Sequence, residues 1–139
     1  MPSFIRNYLR EIHQHALAEY PFECCGVLLG KPGEDGDNLL IRCKNIQNQL
    51  HAKDPAHYPR DARTAYTMDP KDQLKIDSEA RNRGMTIKVF YHSHPDHEAY
   101  FSEEDRKMAL FNEEPLYPEA RYLVVSVVDK KIKGDALFA

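Results

Sequence analysis

The stretch Ile87-Lys88-Val89-Phe90-Tyr91-His92-Ser93-His94-Pro95 joins a strand-forming run to two histidines. The β-branched and aromatic residues from Ile87 to Tyr91 predict a strand. Side chains alternate along a strand, so His92 and His94 leave it on the same side. Pro95 breaks the pairing there and exposes both rings. Ten residues separate His94 from Asp105, room for a loop and the first turn of a helix opened by Ser102. Asp105 can then return opposite the histidines. Two imidazoles and one carboxylate leave a tetrahedral zinc with one open position, as in catalytic sites. Each half also has a plainer reading: His-x-His as a surface pair, and Ser-x-x-Asp as a capping box. A capped helix start can still hold an acid rigidly towards a metal, so the two readings of Ser102 and Asp105 are compatible.

Working outward, Ile5, Leu9, Ile12, Ala16 and Leu17 recur at helical spacing behind Ser3, a candidate N-cap, and predict one amphipathic helix over 4–19, ended by Pro21. Val27 to Leu29, closed by Gly30, read as a strand. Residues 31–38 read as a turn, and Leu39 to Lys44 as the returning strand of a hairpin. Residues 45–63 are polar and aperiodic, which predicts a long loop. Thr64 to Met68 is a candidate strand. Asp69-Pro70 starts a helix that runs to Gly84, a C-cap. The helix opened by Ser102 has Met108, Leu110 and Phe111 as its apolar positions. Tyr122–Val128 and Ile132–Phe138 form the last hairpin around a turn at Lys130-Lys131. The expected fold class is therefore α/β: one domain over 1–139, a mixed sheet with helices packed on it.

The 139 residues are 42% hydrophobic and 29% charged, as for a soluble globular chain, with a formal net charge of -3 that argues against a nucleic-acid binder. No apolar run approaches the roughly 18 residues of a membrane span, and the N-terminus lacks a signal-peptide core. Cys24, Cys25 and Cys43 cannot all pair within the chain, so reduced thiols and a cytoplasmic location are expected. All three are read as core residues, with a metal contact left open for Cys25. His97 lies near the site but outside the ligand set. His13, His15, His51 and His57 are expected to be solvated, and Tyr66, Tyr91 and Tyr122 to pack on the sheet.

Two separated motifs give the chain a family resemblance. His92, His94, Ser102 and Asp105 follow His-x-His, seven residues, Ser, two residues, Asp, with Pro95 after the second histidine. Upstream, Pro21-Phe22-Glu23-Cys24-Cys25-Gly26-Val27-Leu28-Leu29-Gly30 is similar to Pro-x-Glu-x-Cys-Gly-x-Leu-x-Gly. Together they resemble the JAMM (MPN-plus) metallopeptidases in a stand-alone, prokaryotic form. The resemblance implies a curved, cytidine-deaminase-like layered fold and one zinc per chain on His92, His94 and Asp105. It further implies Glu23 as general base then acid, and Ser102 as donor to the tetrahedral oxyanion.

Such enzymes cut peptide or isopeptide bonds beside the C-terminal Gly-Gly of ubiquitin-like proteins. With 34 residues after Asp105, the chain lacks the long insertion by which deubiquitinases grip a ubiquitin chain, which favours a compact sulfur-carrier substrate. The resemblance leaves oligomeric state open and implies neither a nucleic-acid nor a membrane partner. Its alternatives are a silent MPN-type scaffold and a peptidase of cell-wall peptides. A zinc deaminase would need His-x-Glu with Pro-Cys-x-x-Cys, and the sequence has no Cys-x-x-Cys. A helical zincin needs His-Glu-x-x-His, and His97-Glu98 is followed by Phe101 instead. A cysteine hydrolase built on Cys25 and His92 would leave His94 and Asp105 idle.

Overall fold

β1 (Cys25–Gly30) is buried along its whole length because it is an inner strand. It pairs antiparallel with β2 (Leu39–Cys43) on one side and with β3 (Thr86–Pro95) on the other. The computed structural model describes residues 1–139 except 104, 107–109, 112, 113 and 116. β3 runs parallel to β6 (Arg121–Val128), and β6 turns back into antiparallel β7 (Lys131–Phe138), giving one five-stranded mixed sheet in the order β2-β1-β3-β6-β7. A short ladder of β4 (Leu110–Phe111) and β5 (Glu114–Pro115) stands apart from it. The architecture is the expected α/β one. Among the described residues no helix is long and apolar enough to cross a membrane.

Alternation along the inner strands divides the core in two. Cys24, Leu28, Val89, Tyr91, Leu123, Val125 and Val127 face α1 (Ser3–Arg6) and α2 (Leu9–Glu19), whose Ile5, Ile12 and Ala16 complete that cluster. Cys25, Val27 and Leu29 face the other way, towards Ile76 of α4 (Pro70–Arg83), with Ile41, Cys43 and Met68 beside them. Gly26 is required by its neighbour: a Cβ there would lie 2.3–2.4 Å from Tyr91 ring atoms.

Several local expectations are corrected. The N-terminal helix is split at Asn7–Tyr8, and Ser3 is its first helical residue without a side-chain cap. His15 is not solvated. It lies one turn along from Ile12 on the buried face of α2, and its Nδ1 is 2.7 Å from the Tyr91 hydroxyl. Burial, with Arg42 adding, lowers the His15 pKa to about 4. His13 is half-buried against Asp135, and His51 is half-buried with Nδ1 on the Tyr58 carbonyl. Only His57 is exposed as expected.

The polar stretch after β2 contains a helix, α3 (Gln47–Lys53), and Thr64–Met68 forms no strand beyond a single Asn45–Met68 bridge. Leu110 and Phe111 belong to β4, not to the helix opened by Ser102; Met108 lies outside the described residues. The last hairpin turns at Asp129–Lys130, both with positive φ (51° and 62°), the tight turn that matches strand twist. α4 behaves as read: Asp69 Oδ1 accepts the Lys71 N–H at 2.9 Å, Pro70 opens the helix, and Gly84 closes it at φ 64°.

Candidate metal centre

His92 and His94 leave the C-terminal end of β3 on the α4 face, the crevice side of its parallel pairing with β6. Asp96, at φ 59°, turns the chain immediately after the strand. Its carboxylate accepts the Tyr20 hydroxyl at 2.7 Å and the Asp129 N–H at 3.1 Å, which fixes that turn. His94 Nδ1 lies 3.0 Å from the Glu98 carbonyl, and a carbonyl only accepts, so Nδ1 carries the proton and Nε2 points inward as a lone pair.

Asp105 is aimed by a reciprocal capping box. The Asp105 N–H donates to Ser102 Oγ at 3.1 Å, and the Ser102 N–H donates to Asp105 Oδ2 at 3.0 Å. The plain reading of Ser102 and Asp105 is thus the device that orients the acid.

The three groups meet in a small triangle. His92 Nε2 is 3.0 Å from Asp105 Oδ2, His94 Nε2 is 3.2 Å from it, and the two Nε2 atoms are 3.1 Å apart. Ligands at zinc–nitrogen distances of about 2.0–2.1 Å in a tetrahedron stand about 3.3 Å from one another, so the triangle has the size of one face of such a site. All three side chains are buried. Burial lowers the His92 pKa, against the opposing pull of Asp105. Burial pushes Asp105 upwards, but the facing His92 and His94 rings and the hydrogen bond from the Ser102 N–H outweigh it and hold the carboxyl well below its usual range. Electron-rich donors thus converge on one point, and His92, His94 and Asp105 could hold a metal ion.

Glu23 enters from the neighbouring strand. In the β1–β3 register Cys25 opposes His92, and two residues further back Glu23 falls across from His94. Cys24 N–H donating to Ser93 Oγ at 2.8 Å, and Ser93 N–H to the Cys24 carbonyl at 3.2 Å, hold that extension. Glu23 is 4% exposed, and its Oε1 has no hydrogen-bond partner among the described residues. Burial and then the Asp105 charge raise its pKa to about 9, with Arg60 pulling the other way. An orphaned buried carboxyl oxygen beside a converging His-His-Asp set fits a polar, metal-centred site and has no use in an apolar core.

Tyr66, expected to pack on the sheet, stacks on the His92 ring (centroids 4.9 Å, 28°), and Tyr100 meets His94 edge-on at 4.9 Å. Two clefts meet at Tyr66, Thr67 and Asp105. One, of about 270 Å³, is walled by Met68, Ile76, Phe90, Tyr117 and Tyr122. The other, of about 250 Å³, is walled by Gln47, His57, Tyr58, Arg60 and Thr64. Burial pushes the Cys25 thiol up, and Cys25 stays outside the ligand group. The exposed His97 side chain is likewise no part of that group; its carbonyl accepts from Ser126 Oγ.

A mixed five-stranded sheet with an inward His-His-Asp triangle at a strand's end defines an α/β domain built around a candidate metal centre. The sequence profile described as prokaryotic homologs of the JAB domain matches residues 6–134, and the chain belongs to that family. It is 32% identical over 115 residues to the CysO-cysteine peptidase of Mycobacterium tuberculosis, covering 83% of this chain and 66% of that protein. To the desampylase of Haloferax volcanii it is 29% identical over 103 residues, covering 74% of this chain and again 66% of the relative. The matched stretch is thus just under two thirds of each relative. Among solved structures, a Salinibacter ruber protein has a TM-score of 0.60 at 31% identity, over 96% of this chain and 78% of its own. A Desulfitobacterium hafniense protein has a TM-score of 0.61 at 26% identity, over 87% and 71%.

Proposed function

We propose that this protein is a zinc-dependent peptidase or isopeptidase that hydrolyses the amide bond at the C-terminal Gly-Gly of a ubiquitin-like or sulfur-carrier protein. The observation that carries the reading is the convergence of His92 Nε2, His94 Nε2 and Asp105 Oδ2 beside the orphaned Glu23 Oε1. The names of the two relatives, a CysO-cysteine peptidase and a desampylase, support hydrolysis of carrier-protein conjugates. Buried, reduced Cys24, Cys25 and Cys43 support a cytoplasmic setting.

His92, His94 and Asp105 would hold one zinc. Zinc, when bound, supplies a Lewis acid that lowers the pKa of water and polarises a carbonyl. Glu23, whose ionised carboxylate the charge of a bound zinc would favour, takes a proton from the attacking water as its oxygen bonds to the scissile carbon. It then passes that proton to the leaving nitrogen as the C–N bond breaks, and the products are a carboxylate and an amine. Ser102 Oγ accepts the Asp105 N–H and still has its own hydrogen to donate to the developing oxyanion. The stacked Tyr66 and the edge-on Tyr100 keep the two imidazoles from turning.

The test combines elemental analysis with mass spectrometry of a Gly-Gly-ending carrier carrying a conjugate. The purified protein is expected to hold about one zinc per chain and to release the conjugate. His94→Ala loses the metal, while Glu23→Gln keeps it and loses at least about 10²-fold in turnover. A metal-replete protein that leaves the conjugate intact, or a Glu23→Gln variant that loses zinc, overturns the reading.

A further inference from the structure

An amide bond has two sides, and two chemically different clefts lead away from Asp105. The cleft walled by Phe90, Tyr117 and Tyr122 contains no lysine or arginine among its described lining residues. The other contains one, Arg60.

Arg60 is placed and, among the described residues, uncommitted. Its carbonyl is fixed by the Gln47 amide at 2.9 Å, so the backbone is anchored to α3. Its neighbour Arg63 is spent on Asp61 at 2.9 Å. Among the described residues, Arg60's side chain makes only a long 3.5 Å contact to the Thr64 carbonyl. His57, in the same cleft, is engaged with Asp54 at 2.7 Å. Arg60 is close enough to the centre for its charge to be felt at Glu23. A guanidinium presents a planar fork that matches a carboxylate bidentately. At about 250 Å³ the cleft is smaller than the roughly 300–1,000 Å³ of drug-sized sites. That suits one amino acid and not a folded partner.

We propose that Arg60 binds the free α-carboxylate of the leaving group, so that the amine released from the carrier tail is a single C-terminal amino acid. This rests on the peptidase reading above and specifies its substrate. The bond cut is then an α-peptide bond after Gly-Gly. A lysine isopeptide, whose leaving chain is neutral close to the nitrogen, would leave Arg60 without a partner.

The experiment is equilibrium binding of two acetylated peptides ending in Gly-Gly-Ala, one with a free carboxylate and one with a carboxamide, to the zinc-loaded Glu23→Gln protein. The acid is expected to bind at least about tenfold tighter, the scale of one charge-assisted hydrogen bond. Adding Arg60→Met abolishes the preference, and Arg60→Lys restores part of it. Equal or undetectable binding of the two peptides overturns the proposal. So does a preference that survives Arg60→Met and vanishes on chelation, because the carboxylate would then sit on the metal. Failure of the peptidase reading shows separately, as wild-type protein that binds the acid peptide and never cuts it.

Discussion

Ser102 shows how one side chain serves structure and chemistry together. Its Oγ accepts the Asp105 N–H and its N–H holds Asp105 Oδ2, so removing the hydroxyl touches both the helix start and the acid. Glycine separates the two roles, since it caps a helix within a few tenths of a kcal/mol of serine and has no hydroxyl. Ser102→Ala is expected to lose about 1 kcal/mol of stability, whereas Ser102→Gly stays near the wild type. Both lose roughly 10²–10³ in turnover on the proposed mechanism. Denaturant melts beside kinetics decide it: a fully active Ser102→Gly would leave the serine only a cap. At this scale the sequence was legible, because His92, His94 and Asp105 are a spacing. Arg60 and Tyr100 were not, because no spacing or type marks them, and Tyr66 was read only as sheet packing.

At the scale of elements, the segment read as a polar loop owes its order to side-chain amides. Asn45 Nδ2 donates to the Glu23 carbonyl at 2.9 Å and to the Ala65 carbonyl at 3.2 Å, while its Oδ1 accepts from Gln47 N and Thr67 N. Gln47 Nε2 holds the Arg60 carbonyl, Gln47 Oε1 accepts the Thr67 hydroxyl, and Asn48 Oδ1 accepts the Ala62 N–H. The Ala62 carbonyl in turn accepts the Glu23 N–H at 2.7 Å. Hydrophobic periodicity sees none of this, since the pinning groups are polar and their partners are backbone. Asn45→Ala is expected to cost about 2 kcal/mol and to lower turnover at least about tenfold by loosening Glu23. On the proposed function zinc content should stay at the wild-type level, because none of the proposed ligands comes from this segment. Unchanged stability with full turnover would remove Asn45 from the support of the site.

For the whole molecule, His15 links the two-layer packing to pH. Its folded pKa is about 4, against about 6.5 for a free imidazole. Between those values the unfolded chain binds the proton and the folded chain does not, so acid favours unfolding. The contribution is fully present above about pH 6.5 and is lost progressively down to about pH 4. Its full size is about 3 kcal/mol. Stability curves of the wild type and His15→Gln are therefore expected to converge by about that amount between pH 7 and pH 4. Parallel curves would show that His15 takes up its proton within the folded state. Comparing the two proteins cancels the acid sensitivity of the candidate metal centre, which both share.

The sequence by itself determined the main strands β1, β2, β3, β6 and β7, the helix α4, and the identity of the converging residues. Those follow from local rules: period two in β3, Asp-Pro and Gly at the ends of α4, and His-x-His with Ser-x-x-Asp. Only the tertiary structure decided which of the seven histidines are buried, because His15 differs from His57 in what packs against it and not in its own chemistry. Likewise only the fold set Glu23 across from His94, through a pairing of strands some 70 residues apart along the chain. It also gave the polar stretch after β2 its helix and its anchors, and placed Arg60 in a cleft at Asp105. Long-range pairing and side-chain-to-backbone hydrogen bonds have no short-range signature, and this protein's site depends on both.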